Sequence, residues 1–174
     1  MIKGNLVTLR AIERDDLPRY VAWLNDPDVT HHLTLYLPLN ADNEADWYDS
    51  QRKDNTQQNF AIVVNEGNIH IGSVGLMSIN QKEQNAELGI VIGDKGQWGK
   101  GYGREAIQLL LNFAFAEMNL HRVYLRADAS NTQAIRCYQN CGFVEEGRLR
   151  DAVYHRGHFE DQLIMSVLRS EYLK

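Results

Sequence analysis

The sequence predicts an α/β fold: a mixed, mostly antiparallel sheet of about six to seven strands flanked by about four helices. Three observations lead there. Apolar runs of strand length, Phe60 to Val64 and Ile69 to Ile79, are separated only by the polar turn Asn65-Glu66-Gly67-Asn68, which makes them hairpin partners. A helix-length apolar stretch, Arg104 to Met118, stands between the strands at Ala86 to Ile92 and Val123 to Ala127, so these two should run parallel. Phe143 to Leu149 and His158 to Leu168 follow each other with no helix between them and form a second antiparallel pair.

Taken in order, Leu6 to Ala11 alternates well enough for a first strand. Asp15 or Asp16 then opens a helix carrying Leu17, Tyr20, Val21 and Leu24, and Asn25-Asp26-Pro27 ends it. Val29 to Leu39 has no clean period and reads as loop. A second helix starts near Asn40 to Asp42 and carries Trp47 and Tyr48. The hairpin of two strands follows, then the polar turn Asn80 to Asn85 leads into the central strand. The helix from Arg104 is apolar almost all round (Ala106, Ile107, Leu110, Phe113, Ala114, Phe115), so it should pack flat on the sheet. After Asn119-Leu120, Val123, Leu125 and Ala127 alternate with Tyr124 and Arg126, and a short helix begins at Asn131.

Composition bounds the possibilities. At 174 residues the chain reads as one domain, 1–174, with room for a sizeable core. A hydrophobic share of 44% and a charged share of 24% are those of an ordinary water-soluble globule. The net charge of -5 argues against general nucleic-acid binding and suits cationic substrates. No apolar run approaches the roughly 18 residues of a membrane span, and Met1 to Asn5 leads into no signal-like segment, so the expected place is the cytoplasm. Cys137 and Cys141, four apart on a predicted helix, are too few for a disulfide framework and read as buried thiols.

The stretch that carries chemistry is Ala86 to Ala106, an apolar strand running into a glycine-studded turn that opens a helix. The first turn of a helix has unpaired backbone N–H groups and the positive end of the dipole, so a phosphate can sit there without a basic side chain. Gly99, Gly101 and Gly103 let the backbone approach it. A Walker A loop is excluded because Gly99-Lys100 is followed by Gly101 instead of Ser or Thr. Gly101 to Ala106 does satisfy the GxGxxA dinucleotide pattern, with Asp128 as a ribose-binding acid, and would make the chain a nicotinamide dehydrogenase. That fold places its glycines after the first strand of two βαβαβ halves, whereas here several strands precede the turn and only about 70 residues follow.

The frame Trp98-Gly99-Lys100-Gly101-Tyr102-Gly103 instead resembles the acyl-CoA turn of the GNAT acetyltransferase superfamily. The second half of that signature is also present, in Asn131-Thr132-Gln133-Ala134-Ile135-Arg136-Cys137-Tyr138 and then Gly142-Phe143. Together they are similar to the RimJ/RimL-like branch, from Leu6 to Met165. The resemblance implies a GNAT-like fold, acetyl-CoA as co-substrate, no metal, and direct transfer of acetyl to a primary amine. It places the pantetheine arm and the oxyanion against Ile90, Val91 and Ile92, the pyrophosphate on the turn from Trp98 to Gly103, and a cofactor contact on Asn131. Trp98 stands where the family has Arg or Gln, leaving backbone groups and Lys100 to hold the pyrophosphate.

Acetyl transfer from a thioester needs a neutral amine, a stabilised oxyanion and a proton for the leaving thiolate. Keeping an amine of pKa about 10 neutral at pH 7 costs about 4 kcal/mol, against about 1.4 kcal/mol for a peptide α-amine near 8, so a base is of most use to the first. Glu87 on the central strand is the candidate base, directly or through water. Tyr138 is the thiolate acid that the resemblance implies; on spacing alone it would equally be a core tyrosine, and Asn131 only a helix cap. The same resemblance puts the 29–39 loop and the next helix beside the acceptor, which nominates His31, His32 and Tyr36, with Asp42, Glu44, Asp46 and Asp49 as acids that would attract a polyamine. Besides the adjacent His31 and His32, the six histidines include one close pair, His155 and His158, but no zinc spacing. The primary expectation is a protein or peptide N-terminal amine as acceptor, with spermidine, spermine or another small amine or antibiotic as the alternative and a non-catalytic acyl-CoA-binding module as the rival of another class. An exposed edge strand near the C-terminus would allow a homodimer.

Overall fold

The computed structural model describes residues 1–173. Eight strands form one sheet: β1 (Ile2–Lys3), β2 (Val7–Arg10), β3 (Gln58–Val64), β4 (Ile69–Asn80), β5 (Asn85–Ile92), β6 (Arg122–Asp128), β7 (Val144–His155) and β8 (His158–Leu168). Five helices accompany them: α1 (Leu17–Leu24), α2 (Ala41–Gln51), α3 (Tyr102–Ala116), α4 (Thr132–Asn140) and α5 (Arg169–Tyr172). The elements beyond the expected count are the two-residue β1 and the one-turn α5, both too short to imprint a period on the sequence. β7 also runs on to His155, past the Leu149 where its apolar pattern stops.

The strand order is β1-β2-β3-β4-β5-β6-β8-β7, and β5 with β6 is the parallel pair. Strand alternation divides the core. Val7, Leu9, Ile62, Val74, Leu76, Leu88, Val123 and Leu125 turn to one face and meet Ala106, Ile107, Leu110, Leu111, Ala114 and Phe115 of α3, all of them buried. Each large side chain removed from water in this way is worth about 1.5–3 kcal/mol, which is why α3 stays fixed to the sheet. Ala61 points the other way and packs with Ile12, Leu17, Tyr20 and Tyr48, so α1 and α2 cover the opposite face.

A buried polar chain fastens α1 to the sheet. Asp16 takes two hydrogen bonds from Arg10, both 2.7 Å, and faces His70 Nδ1 at 3.1 Å; the far side of the His70 ring meets the Tyr20 hydroxyl at 3.2 Å. Burial holds the His70 imidazole below its ordinary pKa, with the Asp16 charge opposing.

The sheet opens at its centre. β5 and β6 pair only through Asn85 with Arg122, Ala86 with Val123 and Glu87 with Tyr124. Beyond that point β5 continues with β4 to Ile92 while β6 continues with β8 to Asp128, so the two parallel strands diverge and leave a wedge between them.

Candidate active site

The glycine turn closes one side of the wedge. Gly101 caps α3 in the left-handed region, at φ 86°, which only glycine adopts without strain, and no side chain caps the helix. The first intrahelical bond runs from the Glu105 N–H to the Gly101 carbonyl at 3.1 Å, so the amides of Tyr102, Gly103 and Arg104 precede it. A Cβ on Gly103 would lie 3.7 Å from Ile92 and 3.8 Å from Ile90, which puts the helix start directly against the end of β5. Trp98 locks this contact, its indole Nε1 donating to the Ile92 carbonyl at 2.8 Å. Lys100 stands outside and donates to Gln97 Oε1 at 3.0 Å, free to swing toward an anion. An uncapped helix start, a left-handed glycine and a nearby lysine fit the pyrophosphate of CoA.

On the other face of the sheet a cavity of about 190 Å³ is lined by Leu33, Asn59, Ser73, Gly75, Met77, Gly89, Ile90 and Val91. The expected cofactor-arm residues Ile90 and Val91 therefore form a wall shared with the loop between α1 and α2. A larger hollow of about 540 Å³ between α2 and β3, lined by Glu13, Gln51, Asp54 and Gln57 among others, lies away from this turn.

Glu87 is the last paired residue before the strands part, in register with Met77 on one side and Tyr124 on the other. Its carboxylate is 3.6 Å from Arg126 Nε, and its charge, after burial, helps raise the pKa of the Tyr124 hydroxyl. Glu87 is thus an engaged carboxylate at the floor of the wedge. By alternation Tyr124, Arg126 and Asp128 project from the same face of β6.

α4 brings the second half of the signature alongside. Asn131 Oδ1 accepts from the Ala134 N–H at 3.2 Å, so Asn131 is a helix cap. Tyr138 is half-buried against Phe143, ring centroids 6.1 Å apart. Burial, with smaller contributions from Cys137, Cys141 and Asp128, pushes its hydroxyl up to about 12. It therefore keeps its proton at neutral pH, as an acid for a thiolate must.

The loop histidines meet partners that sequence reasoning missed. His32 Nδ1 lies 3.3 Å from Asp128 Oδ2, and His155 Nε2 lies 2.9 Å from the same oxygen. Glu160 Oε1 is 4.0 Å from His155, so Asp128, His155 and Glu160 converge from β6, β7 and β8. Each of the three sits at or near a strand end; His155 and Glu160 face each other across the β7–β8 turn, and only the pairing of β6 with β8 brings Asp128, 27 residues before His155, to them. His31 stacks edge-on against His32 with centroids 4.4 Å apart, whereas Tyr36 is 86% exposed and joins none of these contacts. Of the α2 acids, Asp49 pairs with Arg14 and Arg52, while Glu44 is buried and burial alone raises its pKa.

Residues 7–144 match the family model for the acetyltransferase (GNAT) domain. Spermidine N(1)-acetyltransferase of Vibrio cholerae is 35% identical to this chain over 168 residues, 96% of this chain and 95% of that protein. The enzyme of the same name from Escherichia coli K12 is 32% identical over 174 residues, 99% and 91% of the two chains. The crystal structure of the Vibrio cholerae enzyme with CoA and spermine matches with a TM-score of 0.91 at 32% identity, covering 98% of this chain and 100% of that one. These relatives are polyamine acetyltransferases, and they do not single out the RimJ/RimL-like branch that the motifs resembled. Their agreement with the family match over nearly the whole chain identifies the protein as a member of the GNAT acetyltransferase family, an acetyl-CoA-dependent N-acetyltransferase.

Proposed function

We propose that the acceptor is a polyamine, spermidine or spermine, acetylated on a primary amine in the cytoplasm by direct transfer. The observation that carries this reading is the likeness, over nearly the whole chain, to the spermidine acetyltransferases of Vibrio cholerae and Escherichia coli. The net charge of -5 also suits an acceptor bearing several ammonium groups.

When bound, acetyl-CoA supplies the acetyl group as a thioester. The amides at Tyr102, Gly103 and Arg104, with Lys100, hold the pyrophosphate at the positive end of α3. The open edge of β5 at Ile90, Val91 and Ile92 offers backbone groups to the amide-rich arm and to the oxyanion. Glu87, held by Arg126, lowers the cost of bringing an ammonium to the floor of the wedge. The Tyr138 hydroxyl gives its proton to the departing sulfur. Asn131 fixes the start of α4 and so the position of Tyr138.

The test is thiol release from acetyl-CoA against spermidine, spermine, free amino acids, aminoglycosides and short peptides beginning with Ala or Ser. Turnover selective for the polyamines is expected. Peptide-selective turnover would sink the polyamine assignment and restore the N-terminal amine as acceptor.

A further inference from the structure

We infer that His32, oriented by Asp128 and backed by His155, receives the proton of the acceptor amine. The inference rests on the acetyltransferase reading and assigns its missing base. The arrangement turns on Asp128. Its side chain is buried at the end of β6, beyond the point where β5 and β6 part, and one carboxylate oxygen faces two imidazoles. An ionised Asp128 accepts only, so His32 Nδ1 and His155 Nε2 must each carry the hydrogen pointed at it. His32 is then left with an unprotonated Nε2, turned away from Asp128. A carboxylate that fixes the tautomer of an imidazole and stabilises its charged form is the arrangement a general base requires.

Three further observations place His32 on the acceptor side. Its neighbour Leu33 lines the cavity whose opposite wall is Gly89, Ile90 and Val91 of β5. Its side chain is 27% exposed, against 13% for His155, so His32 is the more accessible of the pair. The charge of Asp128 also contributes, behind burial, Cys137 and Cys141, to raising the pKa of the Tyr138 hydroxyl. Glu87, by contrast, is held by Arg126 at 3.6 Å and serves the ammonium as a charge. Around the loop pair His31 and His32 stand Asp128 on β6, which faces His32, and His155, Arg156 and Glu160 of β7, the β7–β8 turn and β8, whose charges are felt at His31; His31 is held below its ordinary pKa, chiefly by the charge of His32. Two carboxylates against three imidazoles and one guanidinium leave room for one added proton.

The proton count closes. The acceptor ammonium gives one proton to His32 Nε2, and the amine lone pair forms the bond to the thioester carbonyl carbon. The C–S bond then breaks and its electron pair leaves with sulfur, which takes the Tyr138 proton. The second proton of the attacking nitrogen returns to the Tyr138 oxygen through water. His32 releases its proton to solvent, so each turnover yields one amide, one thiol and one proton.

The test combines His32→Asn, His155→Asn and Asp128→Asn with three readouts: the pH profile of kcat/KM, acetyl-CoA affinity by calorimetry, and imidazole 15N NMR of the free enzyme. His32→Asn is expected to lower kcat about 100-fold and to remove the acidic limb of the profile, with acetyl-CoA affinity kept. NMR is expected to find His32 protonated on Nδ1, a preference that Asp128→Asn abolishes. An unchanged pH profile and kcat in His32→Asn would overturn the inference, as would an Nε2-protonated His32 in the wild type. His32 is on a loop and partly exposed, so its variant remains informative if Asp128→Asn fails to fold. Failure of the wild type to bind acetyl-CoA would strike the acetyltransferase reading itself. A His32→Asn loss seen with a non-polyamine acceptor would strike only the acceptor assignment and support the base.

Discussion

The indole of Trp98 donates to the backbone carbonyl of Ile92, 2.8 Å away, and so ties the start of the glycine turn to the last residue of β5. At the position where the family motif has Arg or Gln, this chain has spent the side chain on its own backbone. The turn is held in shape from within, which leaves the helix amides and Lys100 as the groups proposed to meet the anion.

Replacing Trp98 with Phe keeps the ring and removes the donor. A hydrogen bond of this kind contributes about 1 kcal/mol, so acetyl-CoA affinity measured by calorimetry should weaken by roughly 3–10-fold. The kcat at saturating acetyl-CoA should stay within about twofold of wild type. A large fall in kcat with unchanged affinity would give Trp98 a role at the reacting atoms.

Gly101→Ala tests the left-handed cap. A side chain at φ 86° costs roughly 1 kcal/mol or a little more, and the nearest atom to the new methyl, Leu6 Cδ1 at 4.0 Å, leaves space for it. Urea unfolding should report about that loss of stability, together with a raised KM for acetyl-CoA. Unaltered stability would mean that the turn relaxes on substitution.

Tyr138→Phe removes the proposed acid while keeping the packing against Phe143. The kcat should fall about 100- to 1,000-fold with acetyl-CoA affinity preserved. Wild-type turnover in this variant would assign Tyr138 to the core alone.

Glu87→Gln separates charge from proton transfer. With Arg126 left unpaired, KM for the polyamine should rise several-fold, and the acidic limb of the pH profile should survive. Loss of that limb in steady-state kinetics would move the base from His32 to Glu87.

The Asp16, His70 and Tyr20 chain gives stability a pH dependence. His70 is held below its ordinary pKa, so as the pH falls below about 6.5 the unfolded chain takes up a proton that the folded one refuses. Stability should therefore fall with pH in that window, by at most about 1.4 kcal/mol per unit. Denaturant melts from pH 7.5 to 5 should show the decline in the wild type and a flatter curve in His70→Gln. A parallel decline in both would locate the titrating group elsewhere.

Much of this molecule was legible in the sequence because its signals are local. The apolar period of α3, the cap at Asn131, the Gly67 and Asn68 turn between β3 and β4, and the spacing of Gly99, Gly101 and Gly103 each involve residues a few positions apart. Backbone sterics and side-chain periodicity act over that range, so the central elements and the glycine-capped helix start follow from composition and order. Tyr138 was reached through the motif, since its helical spacing also allows a core position.

Tertiary structure alone decided the rest. β5 and β6 part after Glu87 and Tyr124 because each strand keeps its own outer partner, β4 or β8, and no residue in either strand announces where the pairing stops. Asp128, His155 and Glu160 converge because β8 inserts between β6 and β7, while His32 arrives from a loop 96 residues upstream of Asp128. Contacts of that range depend on which strand edges pair, a choice set by burial over the whole sheet, and so the acceptor side of the site appears only once the chain has folded.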